Sequence, residues 1–124
     1  MSQGGVMSNE YLRTFFEIEI DFIADADTQQ KSWGNAHGEK FGVFMMILYN
    51  SWSVIKENQK KYNLSDLQFN KIQKLFNMLD SFEANLENYP TTPSGYWNLL
   101  INPEWKKIQR YALEIQGQIY PTLK

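Results

Sequence analysis

The stretch FGVFMMILY, residues 41–49, most constrains what this chain can fold into. It carries no charge and no amide, and Trp52 and Ile55 continue its apolar pattern. A bilayer-spanning helix needs about 20 apolar residues, so this run is far too short to cross a membrane and must be covered by protein instead. Read as a helix it is apolar almost all round, the signature of a buried central helix. The element lies within residues 35–61 and turns amphipathic toward KENQKK.

The rest of the chain supplies helices to cover it. In residues 9–26, helical spacing places Tyr11, Leu12, Phe15, Phe16, Ile18, Phe22, Ile23 and Ala26 on one face. Glu10, Arg13, Glu17, Asp21 and Asp25 fall on the other, with Ile20 at the edge. The segment FEIEIDFI also alternates like a strand, so a strand over residues 15–23 is the alternative. Asn63 suits a helix end, and Ser65 with Gln68 has capping-box spacing. A third helix then runs from about Asp66 to Glu87. NYPTTPSG breaks it, and YWNLLI reads as a short helical turn. Asn102–Pro103–Glu104 starts a last helix, which Pro121 is expected to stop. These readings predict an all-α, single-domain antiparallel bundle of about four helices with a buried central helix; the alternative is an α+β fold with the 15–23 strand.

A length of 124 residues suits one domain. At 43% hydrophobic and 15% aromatic residues, the core needs no disulfide or metal staple. Cysteine is absent, which excludes disulfides and thiolate metal sites and fits a reducing compartment. Residues 1–8 read as a flexible leader without the basic start and apolar run of a signal peptide. The expected domain is therefore 9–124, and the expected location cytoplasmic.

The stretch SWGNAHGEKFG, residues 32–42, holds the only histidine, His37, and glycines at steps of four: Gly34, Gly38 and Gly42. A phosphate-binding loop needs Gly-Lys-Ser/Thr, but Gly38 is followed by Glu39 and Lys40. The segment reads as a loop, with a helix beginning around Glu39. One histidine makes no multi-histidine metal site, and no nucleophile motif accompanies it. No cofactor or metal is expected. Glu19 is anomalous, because helical spacing sets it in the middle of the apolar face. Such a carboxylate either pairs inside the bundle, titrates with a raised pKa in a pocket, or faces water in a strand. A small helical-bundle enzyme or ligand-binding protein would centre its site on Glu19 and His37.

Charge gives the other clue. Residues 1–30 hold six acids and one base, whereas residues 31–124 hold eight acids and eleven bases. This argues against nucleic-acid binding, which wants a dominant basic surface, and suits docking to a basic protein. Lys106, Lys107 and Arg110 fit a solvated helix face better than a phosphate site. The candidate partner-binding residues are Glu10, Glu17, Asp21 and Asp25, with Trp33, His37, Tyr96 and Trp97 as aromatic or loop contacts. In size, charge layout and lack of catalytic motifs, the chain resembles a bacterial immunity protein, the dedicated inhibitor of a toxin domain. That resemblance implies a non-enzymatic cytoplasmic binder of a basic toxin, such as a nuclease toxin of contact-dependent growth inhibition. It transfers no individual residues.

Overall fold

The computed structural model describes residues 10–33 and 40–123, with side chains to residue 121. His37, Gly34, Gly38 and the expected leader lie outside the described residues. Among the described residues there are six helices: α1 (residues 10–24), α2 (Ala26–Trp33), α3 (Lys40–Glu57), α4 (Asp66–Ala84), α5 (Pro93–Leu100) and α6 (Pro103–Leu123). The described residues contain no strand, so the α+β alternative is overturned: residues 15–23 are helical throughout.

Side-chain pairs fix the directions of the four long helices. Phe15 meets Trp52, and one and a half to two turns further along α1 Phe22 meets Phe44, so α1 and α3 are antiparallel. Trp52 meets Phe69, and Tyr49 donates to Asp80, so α3 and α4 are antiparallel. Lys71 reaches Gln118, and Phe82 meets Trp105, so α4 and α6 are antiparallel. Phe16 stacks on Tyr120, and Asp21 accepts from Gln116, closing the ring between α6 and α1. The result is an up-down-up-down bundle. Its centre holds Phe15, Trp52 and Phe76 in near-parallel stacking. Burying rings of this kind contributes on the order of 1.5–3 kcal/mol each.

α1 is not a regular α-helix. Its turn Phe15–Ile20 is π-helical, and the i→i+5 bonding of that form admits an extra residue per turn. The apolar face therefore shifts. Phe15, Phe16, Ile20 and Ile23 are fully buried, while Ile18 is 64% exposed. The sequence expectation for Ile18 and Ile20 is thus reversed, because helical spacing assumed one period along the whole helix.

The apolar run of α3 is buried on one side only. Phe41, Met45, Leu48, Trp52 and Ile55 enter the core, but Val43, Met46, Ile47 and Val54 are exposed. The expectation of a central helix covered on every side needs this correction. α1 and α4 flank α3, and no described element lies over its outer face. Gly42 does serve packing, since the Tyr89 ring lies 3.2 Å from where a Cβ would stand.

Several helix ends match their sequence signals. Asn63 has φ 59°, in the left-handed region that asparagine tolerates. Ser65 accepts from the Gln68 amide at 3.1 Å and donates its own backbone N–H to Gln68 Oε1 at 2.9 Å. Asn102 accepts from the Glu104 amide at 2.8 Å. YWNLLI belongs to a two-turn helix, α5, capped by Thr92. Pro121 does not stop the last helix, which continues to Leu123. Its last turns are held against the core by buried Ile119 and Tyr120.

The turn between α1 and α2 rests on one buried amide. Gln29 is 0% exposed. Its Nε2 donates to the carbonyls of Phe22 (2.6 Å) and Ile23 (2.8 Å), which end α1. Its Oε1 accepts from Trp105 Nε1 (2.9 Å) and Gln109 Nε2 (2.7 Å) on α6. A glutamine amide has two donors and two acceptor sites, so all four are used. Carbonyls only accept and an indole only donates, so the amide has a single workable orientation.

Gln29→Leu leaves buried polar groups unsatisfied on both sides, at about 1–3 kcal/mol per group. The expected loss is therefore at least ~3 kcal/mol in urea denaturation, and Trp105→Phe in the same background should add less than it does alone. Full additivity would mean that the two side chains are not coupled. Ser65→Ala should cost ~1 kcal/mol, the usual value of a lost N-cap, measured as a lower denaturation midpoint with unchanged slope.

Candidate functional site

The eight candidate contact residues do not form one surface. Glu10 pairs with Arg13 at 2.9 Å, and both are exposed. Glu17 accepts a hydrogen bond from the Tyr120 hydroxyl, and burial together with that bond pushes the Tyr120 pKa up to about 12. Asp21 is half-buried and accepts from Gln116 Nε2 at 3.0 Å, while the same amide donates to the Phe16 carbonyl. Asp25 leaves the helical conformation and caps α2. It accepts from the Thr28 hydroxyl (2.7 Å) and the Thr28 amide (3.1 Å), which hold its pKa below the usual aspartate value. The acids of α1 thus hold the α1–α6 seam and the next helix start as well as facing water.

Among the aromatic candidates, Trp33 and Tyr96 are core residues. Trp33 packs on Phe22, Phe41 and Tyr96, and the Tyr96 hydroxyl accepts from the Phe41 amide at 2.9 Å. Trp97 is exposed on α5. His37 is among the residues not described.

The carboxylate of Glu19 stands out. The π turn sets it at the α1–α3 seam, partly buried, opposite buried Ser51 of α3. Its Oε1 is fully buried and has no hydrogen-bond partner. Burial raises its pKa, and the Ser51 hydroxyl pulls the other way with less effect. The expected partner inside the bundle is therefore a lone hydroxyl, and among the described residues no lysine or arginine forms an ion pair with it.

The seam around Glu19 is apolar. On α3, Ile47 and Val54 stand four residues before and three residues after Ser51, on the same helix face, and both are exposed. On α1, Ile18 adjoins Glu19 and is exposed. Half-buried Phe22 and Phe44 close the seam at one end with ring centroids 4.9 Å apart, and Tyr11 and Tyr62 meet near the other at 6.0 Å. Sequence reasoning picked out Glu19 but missed Ser51, Ile47 and Val54. Ile47 lies inside the run 41–49 read as buried, and Ser51 and Val54 just beyond it.

Two concavities of the described residues lie away from the candidate residues. A groove of about 340 Å³ lies between α4 and α6, floored by Met78, Phe82 and Ile108. A more open hollow is edged by Lys106, Lys107 and Arg110, and Lys107 is paired there with Glu104 at 3.1 Å. Among the described residues, no group of three or more histidines or carboxylates is placed to hold a metal, and no helix is long and apolar enough to cross a membrane. No known protein family, curated protein or solved structure matches the chain.

The raised Glu19 pKa has a definite sign in stability. A carboxyl whose folded pKa lies above its unfolded value binds more protons in the native state. Stability then falls as pH rises from the unfolded value of 4.5 through the folded one. Glu19→Gln removes the charge, so it should stabilise the fold at pH 7, with the gain shrinking as pH drops toward 4.5. A constant difference between wild type and variant across pH 4 to 8 would place the carboxylate in water.

Proposed function

We propose that this domain acts by binding another protein rather than by catalysis, as an immunity-type inhibitor that occupies a basic toxin domain. The observation that carries this reading is the open flank of α3. Val43, Met46, Ile47 and Val54 are 52, 58, 48 and 40% exposed on one helix, a concentration of large apolar side chains that a partner surface would cover. The acid-rich α1 lies beside it. Charges near such a patch steer a basic partner and raise its association rate. A contact-dependent growth-inhibition nuclease is the partner class that fits this pairing of acidic and apolar surface.

Glu17 and Asp21 bond to α6, so reversing their charge would disturb the fold as well as any interface. Ile47 offers a cleaner test, because it makes an exposed contribution to α3. The probe is the protein encoded beside this one, co-expressed and titrated against the purified domain. Complex formation is expected, with Ile47→Glu weakening it at least tenfold while the helical circular dichroism stays unchanged. A tenfold loss corresponds to about 1.4 kcal/mol. Equal affinity of wild type and variant would remove α3 from the interface, and failure of the two proteins to associate would remove the immunity reading.

A further inference from the structure

We infer that the groove between α4 and α6 is a binding site for a small, elongated amphipathic acid, a medium-chain aliphatic carboxylate, with its head at Lys74 and Asn77 and its tail along Met78, Phe82 and Leu86. The groove measures about 340 Å³, within the ~300–1,000 Å³ range of small-molecule sites. It shares no residue with the open flank of α3, so the inference stands apart from the protein-binding reading.

The order of residues along α4 sets the polarity of the ligand. Lys74, Met78, Phe82 and Leu86 line the groove four residues apart, which puts them in one row along the helix. The row reads as one cation followed by three apolar side chains. Its apolar part, from Met78 to Leu86, extends about 12 Å at 1.5 Å per residue. Ile108 of α6 lines the same groove. Phe82 and Ile108 are buried, whereas Met78 and Leu86 are half-buried. The row therefore keeps apolar surface within reach of water, and a chain of methylenes laid along it would cover that surface. The flexible side chain of Met78 lets the floor adjust to such a chain.

The head end offers donors. Lys74 Nζ stands 5.0 Å from the centre of the Tyr111 ring and forms no ion pair among the described residues. Asn77 adds an amide whose orientation is fixed from the core. The Trp52 indole N–H donates to Gln73 Oε1 at 3.2 Å, so the Gln73 amide nitrogen points the other way and donates to Asn77 Oδ1 at 3.0 Å. The oxygen of Asn77 is thus engaged, and its NH2 group is left for a ligand. Lys107 reaches the groove from α6. Its partner Glu104, at 3.1 Å, adjoins Trp105, which meets Phe82. The one carboxylate among the described lining residues therefore stands toward the tail end. A ligand carboxylate only accepts, and its two oxygens suit an ammonium beside an amide N–H. The charge layout admits it at the Lys74 end and repels it at the other.

The test titrates the full chain, with isotope-labelled methyl groups, against decanoate kept below the concentration at which it forms micelles. Decanol keeps the chain without the charge, and butanoate keeps the charge without the chain. Decanoate is expected to shift the methyl signals of Met78, Leu86 and Ile108 and to bind at least tenfold more tightly than either. In Lys74→Met, which retains an apolar stem, the preference for decanoate over decanol should shrink, and in Lys74→Met with Lys107→Met it should vanish. Both lysines are exposed, so the helical circular dichroism should stay unchanged. Should a variant lose that signal, the comparison of the three probes on wild type still decides. Absence of shifts at Met78, Leu86 and Ile108, shifts spread over the whole surface, equal binding of decanoate and decanol, or a preference untouched in the folded double variant would each overturn the inference. So would a result in which the adjacent-gene protein shifts those three signals and decanoate does not, because the groove would then belong to a protein interface.

Discussion

The side chain of Gln29 holds together three parts of the fold that the sequence leaves independent. Its amide ends α1 by capping two carbonyls, fixes the direction of α2, and ties both to Trp105 and Gln109 of α6. A helix C-terminus buried without partners is expensive. Here the partner is a side chain from the next helix, so the α1–α2 elbow forms only when α6 is present. The aromatic cluster above it follows from that placement. Trp33 at the end of α2 reaches Phe22, Phe41, Tyr96 and Trp105, which belong to four other helices. α2 and α5 therefore close one end of the four-helix bundle, and the amide sets the angle at which they do so.

Where a local chemical signal exists, the sequence alone shows the element. Ser65 with Gln68, Asn102 with Pro103, and Asn63 are read correctly because each satisfies backbone groups within a few residues of itself. α4 and α6 are read correctly as helices because each keeps one apolar period, buried at Ile72, Leu75, Phe76, Leu79 and Phe82 and at Trp105, Ile108, Ala112, Ile115 and Ile119. Gln29 leaves no such trace. It stands in ADADTQQKSW among polar residues, and its partners are 76 and 80 positions away. Asp25 reads in the sequence as a surface acid of the first helix, and only the break in the backbone makes it the cap of α2. Trp33 and Tyr96 sit in glycine- and proline-punctuated segments, which suggested surface rings. They are buried because those segments fold back over the end of the bundle.

The apolar run of α3 shows where an argument from composition fails. Hydrophobicity on all sides requires that all sides be covered, but it does not say that the same chain does the covering. α1 and α4 flank the core side, and the described residues provide nothing for the outer one. The residues that remain open are aliphatic and include no aromatic ring: Val43, Met46, Ile47 and Val54. The large rings of the same helix, Phe41 and Trp52, point inward. The division follows helix geometry, with the inward positions Phe41, Met45, Leu48, Trp52 and Ile55 three or four residues apart on one face.

The π turn of α1 links the core to the seam. With α-helical spacing of ~100° per residue, Glu19 would fall among Phe15, Phe16 and Ile23, in the middle of the buried face. There a carboxylate would have to take up a proton or lose several kcal/mol. The wider turn lets Phe15, Phe16, Ile20 and Ile23 all reach the core, and it rotates the residues between them. Ile18 goes to the surface, and Glu19 moves to the edge beside Ser51. Better aromatic packing thus comes at the cost of one exposed isoleucine and one half-satisfied carboxylate, side by side on the seam with α3. A single aliphatic residue at position 19 would remove the carboxylate's cost and keep the packing. The acid that stands there instead is held at the helix edge, where the Ser51 hydroxyl offsets part of the cost of its burial. The same irregular turn that completes the core therefore also sets which side chains stand at the α1–α3 seam.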